Sequence, residues 1–238
     1  MRQSIENKTA LITGGSKGIG YGIAAALMAE GMHVAITSRS LAAAQKAADE
    51  LNQLGKGMAL AIEADVRDYS SQEAAVQQVM DKWGRLDLLV ANAGIGHFAP
   101  IDSLSLAQWH ETIDTNLTGV FYSIKAGLEA LKSSKGFFIT ISSLAGTNFF
   151  AQGSAYNASK FGLTGFTQAV MLDLRQHGIR CTTIMPGSVA TYFNNHEPNE
   201  KDDWKIQIED LGQMVVDLMQ MHPRTLPSKI EVRPSIPG

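Results

Sequence analysis

Apolar and polar positions along the chain form short apolar runs separated by longer segments with helical spacing. The apolar runs are rich in Val, Ile and Leu and do not alternate with polar residues, which is typical of strands covered on both faces. The predicted strands are Thr9–Thr13, His33–Ser38, Met58–Ile62, Leu86–Ala91, Gly136–Ile141, Ile179–Met185 and Lys229–Arg233. The predicted helices are Ile19–Glu30, Leu41–Leu54, Ser71–Trp83, Ala155–His177 and Glu209–Met221, with a long helical stretch from Ser105 to Lys132 that breaks near Ile113.

The regular succession of strand and helix predicts an α/β fold. A strand, a helix and a second strand in sequence favour a parallel sheet with right-handed crossovers, doubly wound with helices on both faces. No long linker, low-complexity tract or internal repeat interrupts this pattern. We therefore expect one domain over residues 1–238, built on a seven-stranded parallel sheet.

Composition and charge narrow the functional classes. The 238 residues are 45% hydrophobic, and 20 basic against 23 acidic residues give a net charge of −3, which offers no electrostatic footprint for nucleic acid. No signal peptide or membrane-length apolar stretch is evident, so a cytoplasmic protein without a membrane partner is expected. The single cysteine, Cys181, lies in an apolar run and is interpreted as a small buried hydrophobe. No metal site is predicted.

The first strand–helix junction carries a glycine-rich segment, TGGSKGIG at 13–20. Gly14, Gly18 and Gly20 allow a tight turn and close approach of a phosphate, and the following helix start supplies amide donors. The spacing differs from the usual Gly-x-Gly-x2-Gly fingerprint, and an ordinary glycine-rich loop is the alternative. Its position in the first βα unit favours binding of a dinucleotide pyrophosphate.

The residues after the second strand bear on which dinucleotide binds. An acidic residue there would bind the adenosine ribose of NAD, but this chain has Ser38 and Arg39. Arg39 can donate two hydrogen bonds to a 2′-phosphate, and Lys17 in the glycine loop adds a second cation. Either could be a solvated surface charge. Together they favour NADP(H) over NAD(H).

A tyrosine and a lysine lie one helical turn apart, at Tyr156 and Lys160, with Ser143 upstream. Positions i and i+4 share a helix face, so the ammonium can lie beside the phenol. A nearby cation stabilises the phenolate and would lower the phenol pKa, which is otherwise about 10. The pattern alone is also compatible with an ordinary surface helix.

Taken together, these residues resemble the short-chain dehydrogenase/reductase family from about Lys8 to Arg233, including its NADPH-dependent carbonyl and 3-oxoacyl-carrier-protein reductases. The motifs that carry the resemblance are Thr13-Gly14-x3-Gly18-x-Gly20, Asp65-Val66, Asn92-Ala93-Gly94, Asn116, Ser143, Tyr156-x3-Lys160, and Pro186-Gly187 with Thr191. The resemblance implies a Rossmann-type fold and hydride transfer between a nicotinamide cofactor and a carbonyl or hydroxyl group.

The resemblance also implies residue roles. Tyr156 would act as general acid/base, Ser143 would hydrogen-bond the substrate oxygen, Lys160 would lower the Tyr156 pKa and hold the nicotinamide ribose, and Asn116 would anchor a water in a proton relay. The implied cofactor-binding residues are Gly14, Ser16, Lys17, Gly18, Ile19, Gly20, Ser38, Arg39, Asp65, Val66, Asn92, Ala93, Gly94, Tyr156, Lys160, Pro186, Gly187, Val189 and Thr191.

The substrate pocket is less well defined by sequence. The family lines it from segments that here contain His97, Phe98, Phe149, Phe150, Tyr192 and Phe193. These side chains could equally be core or subunit contacts. The substrate-loop region, about 188–208, is short and charged, so the site is expected to be more open than in close relatives or closed by a partner subunit.

The preferred function is reduction of a small ketone or aldehyde, or the reverse oxidation. The alternatives are a 3-oxoacyl-(carrier protein) reductase, a hydroxy acid or hydroxysteroid dehydrogenase, and a non-catalytic NADP-binding sensor. Against the first, the carrier-docking stretches match only partly, at 132–135 and 175–177, and the chain ends without a glycine-rich aromatic segment. By the same resemblance, a homotetramer or dimer is expected, assembled through the Asn116 and Tyr156 helices and the last strand.

Overall fold

A seven-stranded sheet, parallel throughout, forms the centre of the computed structural model, which describes residues 2–236. The strands are β1 (Thr9–Ile12), β2 (His33–Ser38), β3 (Ala59–Glu63), β4 (Leu88–Ala91), β5 (Phe137–Ile141), β6 (Arg180–Pro186) and β7 (Lys229–Val232). Their order across the sheet is β3-β2-β1-β4-β5-β6-β7. This arrangement confirms the predicted α/β, doubly wound Rossmann-type sheet.

Helices cover both faces of the sheet. They are α1 (Gly18–Ala29), α2 (Leu41–Leu54), α3 (Tyr69–Trp83), α4 (Leu106–Ile113), α5 (Gly119–Ser134), α6 (Ser154–Leu174) and α7 (Ile208–Gln220). One buried apolar cluster joins one sheet face to α1, α2 and α7, and a second joins the other face to α3, α5 and α6. Within residues 2–236, no helix combines the length and apolar character needed to cross a membrane.

The predicted element boundaries agree with the structure to within two residues at most ends, and local capping explains several differences. Helix α3 begins at Tyr69 because the Asp68 carboxylate accepts a hydrogen bond from the Ser70 amide. Helix α4 begins after a reciprocal capping box between Ser105 and Gln108.

The predicted helix break near Ile113 is a π-helical turn, Asp114–Thr118, that joins α4 directly to α5. A π-turn adds one residue to the helical repeat and redirects the side chains within it. Asn116 lies in this turn and is fully buried.

The order of the strands determines where a ligand can bind. Strands β1 and β4 are neighbours, and the chain leaves them toward opposite faces of the sheet, so a crevice opens between their carboxyl ends. The glycine-rich turn follows β1, and Asn92 follows β4. The sequence motifs are therefore gathered at one edge of the sheet.

Helix α1 packs against α7 through two glycines. A Cβ atom on Gly22 would lie 2.5 Å from the Ile208 carbonyl oxygen, and one on Gly212 would lie 2.6 Å from the Gly22 carbonyl oxygen. The close helix approach holds α1 against the sheet and so positions its N-terminus at the crevice.

We expect Gly22→Ala to lower the free energy of unfolding by more than about 2 kcal/mol, because the added methyl group collides with backbone. Helix propensity alone predicts the opposite sign, a gain of up to about 1 kcal/mol. Ala43→Gly on the exposed face of α2 measures that propensity effect separately. Urea unfolding of the variants checks the prediction, and a Gly22→Ala variant as stable as the parent would contradict it.

Candidate active site

One large cleft runs along the carboxyl edge of the sheet, with a volume of about 910 Å³. This is within the usual range for a site that encloses a cofactor or small molecule. All of the predicted cofactor residues except Gly20 line it, as do Ser143, Tyr156 and Lys160. Gly20 is buried beneath the cleft, where a Cβ would lie 2.6 Å from Nδ2 of Asn92.

Hydrogen bonds between Thr13 and Asn92 fix the glycine turn. The Thr13 hydroxyl accepts from the amides of Asn92 and Ala93, each at 3.1 Å. The Asn92 side chain donates to the carbonyls of Thr13 at 2.9 Å and Gly14 at 3.0 Å. Gly14 has a φ of 65°, and a Cβ there would also lie 3.0 Å from Cα of Ala93. The turn therefore requires glycine at this position.

The start of α1 fits the pyrophosphate of a dinucleotide. Gly18, the first residue of the helix, has a φ of 59° and lines the cleft without a side chain. The N-cap residue, Lys17, makes no side-chain hydrogen bond to the first turn. The amide donors and the positive dipole end thus face the cleft, which suits an anionic group.

Two arginines line the cleft near the carboxyl ends of β2 and β3, and one of them, Arg67, is paired with carboxylates. Arg39 lines it, and Arg67 makes a bidentate ion pair with Asp65, with Nη2 2.6 Å from Oδ2. The hydrogen bonds from Arg67 lower the pKa of the Asp65 carboxyl, and the Arg39 charge adds to this effect. Sequence reasoning identified Arg39 and Asp65 but missed Arg67, whose i+2 position after Asp65 was the available signal.

Two adjacent serines follow β5 and have different surroundings. The Ser142 hydroxyl is buried and contacts the Lys160 carbonyl and the Thr164 hydroxyl at 3.2 and 3.1 Å. The Ser143 hydroxyl accepts from the Ala145 amide at 3.1 Å, and it also lies within hydrogen-bonding reach of the Tyr156 phenol. This difference favours Ser143 as the serine available to a ligand.

Lys160 is buried without a carboxylate partner among the described residues. The residue is only 4% exposed, and its Nζ donates to the Ile141 carbonyl at 3.0 Å. Burial lowers the pKa of the ammonium to about 8.

The pKa of Tyr156 differs from the expectation based on sequence. Burial raises the pKa of the phenol, and the nearby Ser143 hydroxyl offsets only part of this effect. Nζ of Lys160 lies 5.7 Å from the ring centroid and is directed to Ile141. In this structure the lysine therefore does not bring the phenol pKa below its usual value.

Asn116 does not line the cleft but joins the elements behind it. Its amide donates to the Ile95 carbonyl at 2.8 Å and the Ser159 hydroxyl at 3.0 Å, and it accepts from the Ile95 amide at 2.9 Å. A Cβ on Gly94 would lie 3.4 Å from the Asn116 oxygen and 3.6 Å from Nζ of Lys160. The π-turn thus holds the loop after β4 against α6.

Aromatic side chains surround Tyr156 at the other end of the cleft. Phe98, Phe150 and Phe193 line the cleft beside Tyr156, and His97 and Tyr192 also line the cleft, with Nζ of Lys17 in the glycine turn 5.7 Å from the Tyr192 ring centroid. The Phe98 and Phe193 ring centroids are 5.4 and 5.7 Å from that of Tyr156. The predicted pocket residue Phe149 is instead 85% exposed and does not line the cleft, because the chain turns outward there and only Phe150 faces Phe98.

Sequence reasoning also missed ion pairs that hold this end together. His97 Nε2 lies 2.8 Å from the Glu111 carboxylate, which fixes the loop after β4 to α4. In the 188–208 segment, Asp202 is buried and pairs with Lys205 and His196. Hydrogen bonds from Lys205 and His196 lower the pKa of Asp202 to about 2, so this segment is fastened around a carboxylate.

Comparison with known proteins identifies the family of this chain. The family model for the short chain dehydrogenases matches residues 8–202. Trans-4-hydroxycyclohexanecarboxylate dehydrogenase of Sinomonas cyclohexanicum is 38% identical over 192 residues, covering 79% of this chain and 74% of the relative. The 3-oxoacyl-[acyl-carrier-protein] reductase FabG of Vibrio cholerae is 36% identical over 189 residues, covering 79% and 76%.

A solved structure of similar shape is the alcohol dehydrogenase of the archaeon Thermococcus sibiricus complexed with 5-hydroxy-NADP. It is 29% identical, aligns with a TM-score of 0.89 and covers 97% of both chains. The family match spans most of the chain and includes the glycine turn, Ser143, Tyr156 and Lys160. The chain belongs to the short-chain dehydrogenase/reductase family of oxidoreductases.

Proposed function

We propose that the chain is an NADP(H)-dependent oxidoreductase that interconverts a carbonyl and a hydroxyl group, with Tyr156 as general acid/base. The observation that carries the proposal is that Ser143, Tyr156 and Lys160 open onto one cleft with the glycine turn at its other end. In this proposal the whole chain forms one domain, and residues 188–208, approximately, form its substrate loop. A non-catalytic NADP-binding sensor would not need these three side chains together.

Tyr156 and Ser143 would have different roles at the substrate oxygen. When bound, the nicotinamide would supply or accept the hydride. Tyr156 would donate its proton to a carbonyl oxygen, and its raised pKa keeps the phenol protonated at neutral pH. The Ser143 hydroxyl would donate to the same oxygen and stabilise its developing negative charge.

Lys160 would hold the nicotinamide ribose hydroxyls and connect Tyr156 to solvent. Its ammonium, with a pKa of about 8, can give up a proton near neutral pH. Asn116 would hold a water on this path, since its oxygen and Nζ of Lys160 both approach Gly94. Contact with the cofactor and a charged neighbour would bring the phenol pKa closer to the working pH.

The relatives support oxidoreduction of a small hydroxyl or carbonyl compound and leave the substrate open. One is named as a hydroxycyclohexanecarboxylate dehydrogenase and another as a 3-oxoacyl-[acyl-carrier-protein] reductase. A hydroxy acid or hydroxysteroid dehydrogenase remains a further alternative. We favour a free ketone, aldehyde or secondary alcohol.

The preference for NADP(H) rests on charge. Arg39 lines the cleft after β2, Lys17 lies at the start of α1, and Arg67 balances the Asp65 carboxylate. An unbalanced cation at the ribose end attracts a 2′-phosphate, for which the guanidinium fork is well suited. The structure of the Thermococcus relative was solved with 5-hydroxy-NADP.

We also propose a cytoplasmic homotetramer, or a dimer, assembled through α5, α6 and β7. Large apolar side chains on the two helices support this arrangement, because Phe121, Phe161 and Leu172 are 46%, 43% and 53% exposed. A second subunit would bury them.

Tyr156→Phe is expected to lower kcat for ketone reduction by roughly 10²- to 10⁴-fold, because it removes the proton donor and leaves the ring in place. Steady-state kinetics over a ketone panel measures this loss, and fluorescence titration with NADPH separates any change in cofactor binding from it. Tyr69→Phe at the surface of α3 is the matched control. Undiminished turnover in Tyr156→Phe would reject the proposed acid/base role.

Arg39→Asp is expected to raise the KM for NADPH by roughly 30-fold or more and that for NADH by less than about threefold, since only NADPH carries the 2′-phosphate. Parallel kinetics with both cofactors tests this difference. Lys56→Asp makes the same charge change at an exposed position outside the cleft. Equal effects of Arg39→Asp on both cofactors would exclude recognition of the 2′-phosphate by Arg39.

Lys160→Met is expected to stabilise the cofactor-free protein at pH 7 by about 3 kcal/mol while abolishing activity. The folded pKa of about 8 lies below the unfolded value of 10.5, so the ammonium destabilises the fold below pH 8. That cost disappears as the pH rises from 8 to 10.5, and the two stability curves should converge over this interval.

Urea unfolding of both proteins from pH 7 to 10 measures the convergence. Lys56→Met serves as control, because it makes the same substitution at an exposed lysine outside the cleft. A Lys160→Met variant that is less stable than the parent at pH 7, or a difference that is constant with pH, would contradict the uncompensated burial of the cation.

A further inference from the structure

Three phenyl rings form a cluster around the proposed proton donor. Phe98 comes from the loop after β4, Phe150 from the segment before α6, and Phe193 from the 188–208 segment. The Phe98 centroid lies 5.9 Å from that of Phe150 and 6.3 Å from that of Phe193, and both Phe98 and Phe193 also approach the Tyr156 ring. All of these rings line the cleft.

Two glycines leave room for these rings to approach the backbone closely. A Cβ on Gly96 would lie 2.7 Å from Cζ of Phe193 and 2.8 Å from Cε2 of Phe98. A Cβ on Gly153 would lie 2.5 Å from Cε2 of Phe150. The rings therefore pack directly against glycine backbone, with the Phe98 and Phe193 centroids 5.4 and 5.7 Å from that of Tyr156.

The outer side of the 188–208 segment carries acidic charge. Asp202 is neutralised by Lys205 and His196, but Glu197, Glu200 and Asp203 are exposed. Lys201 is the exposed cation among residues 196–205. A macromolecule of negative charge approaching this end of the cleft would meet charges of the same sign.

We propose that the substrate class is a compact ketone that carries a ring, or the corresponding secondary alcohol, and that Phe98 and Phe193 determine this specificity. The proposal rests on the carbonyl chemistry proposed above. In reduction, the carbonyl carbon gains a hydride, the oxygen gains the Tyr156 proton, and one NADPH is oxidised to NADP⁺ for each alcohol formed.

The ring cluster favours such a substrate for two reasons. A rigid ring can pack a whole face or edge against phenyl groups, where aromatic contacts contribute beyond the area that they bury. A linear chain with the same number of carbons must also lose rotational freedom on binding. The acidic outer surface further favours a substrate that enters free over one attached to an acidic carrier protein.

The test compares cyclohexanone with 2-hexanone, which have the same number of carbons. The measured quantity is the ratio of their kcat/KM values, relative to the parent, because intrinsic differences in carbonyl reactivity cancel in that comparison. The variants are Phe98→Leu and Phe193→Leu. Phe149→Leu is the control, because this neighbouring ring is 85% exposed and lies outside the cleft.

Phe98→Leu and Phe193→Leu should each lower the ratio roughly three- to tenfold, and Phe149→Leu should change it by less than about twofold. An unchanged ratio in both cluster variants, or an equal change in Phe149→Leu, would overturn the inference. Turnover of both ketones by the parent, abolished in Tyr156→Phe, would at the same time uphold the proposed function. A parent that reduces 2-hexanone and other linear carbonyls but not cyclohexanone would overturn the substrate class alone.

A second comparison tests the acidic surface. Acetoacetyl-N-acetylcysteamine and acetoacetyl-acyl carrier protein present the same acyl group with and without an acidic carrier. We expect a lower kcat/KM for the carrier-bound form, with part of the loss recovered as ionic strength rises. A carrier-bound thioester that is reduced more efficiently than the cysteamine form would overturn the preference for a free substrate.

Discussion

The bridge between Thr13 and Asn92 is the constraint on which the rest of the site depends. Strands β1 and β4 are neighbours whose chains leave toward opposite sheet faces, so beyond their last backbone hydrogen bond, from the Thr13 amide to the Val90 carbonyl, side chains must supply any further connection. The Thr13 hydroxyl and the Asn92 amide provide it through hydrogen bonds of 2.9–3.1 Å. The same bonds hold Gly14 in its left-handed conformation and orient the start of α1. One polar pair thus determines both the floor of the cleft and the direction of its anion-binding helix.

Burial of Lys160 destabilises the fold and at the same time lowers the pKa of its ammonium toward neutrality. Its ammonium has a backbone carbonyl as partner and no carboxylate among the described residues, so burial lowers its pKa to about 8. A carboxylate neighbour would stabilise the charge and hold the proton more tightly, which would remove the group from titration near neutrality. Tyr156, on the same helix face, is shifted in the opposite direction by the same burial. One low-dielectric environment therefore moves the two pKa values apart, because it favours the neutral form of both groups: the Lys160 ammonium becomes the stronger acid and the Tyr156 phenol the weaker one.

Sequence predicted the parts of the fold and site that depend on local pattern. The strands, the sheet type and the glycine turn follow from apolar runs and from residue types that a strand end or a helix start requires. The π-turn was seen only as a break near Ile113, because its hydrogen-bond pattern is not encoded in apolar spacing. The raised pKa of Tyr156 was missed because helical spacing shows only that Lys160 lies nearby. It cannot show that the Lys160 ammonium donates its hydrogen bond to the Ile141 carbonyl. Phe149 and Phe150 are adjacent and chemically identical, so only the path of the chain distinguishes them.

The two ends of the cleft are formed by different kinds of residue. This explains why the cofactor end could be predicted from the sequence and the substrate end could not. The cofactor end uses backbone amides, glycines and strand termini, whose residue types are restricted by conformation. The substrate end uses side chains from three distant segments, each of which tolerates many residue types on its own. Its segment 188–208 is fastened by the single buried carboxylate of Asp202, with Lys205 and His196 supplying the opposite charge. Since the Asp202 carboxylate is buried and paired, the charge that the segment presents to solvent comes from its exposed residues Glu197, Glu200, Lys201 and Asp203, while Phe193 contacts the Tyr156 ring.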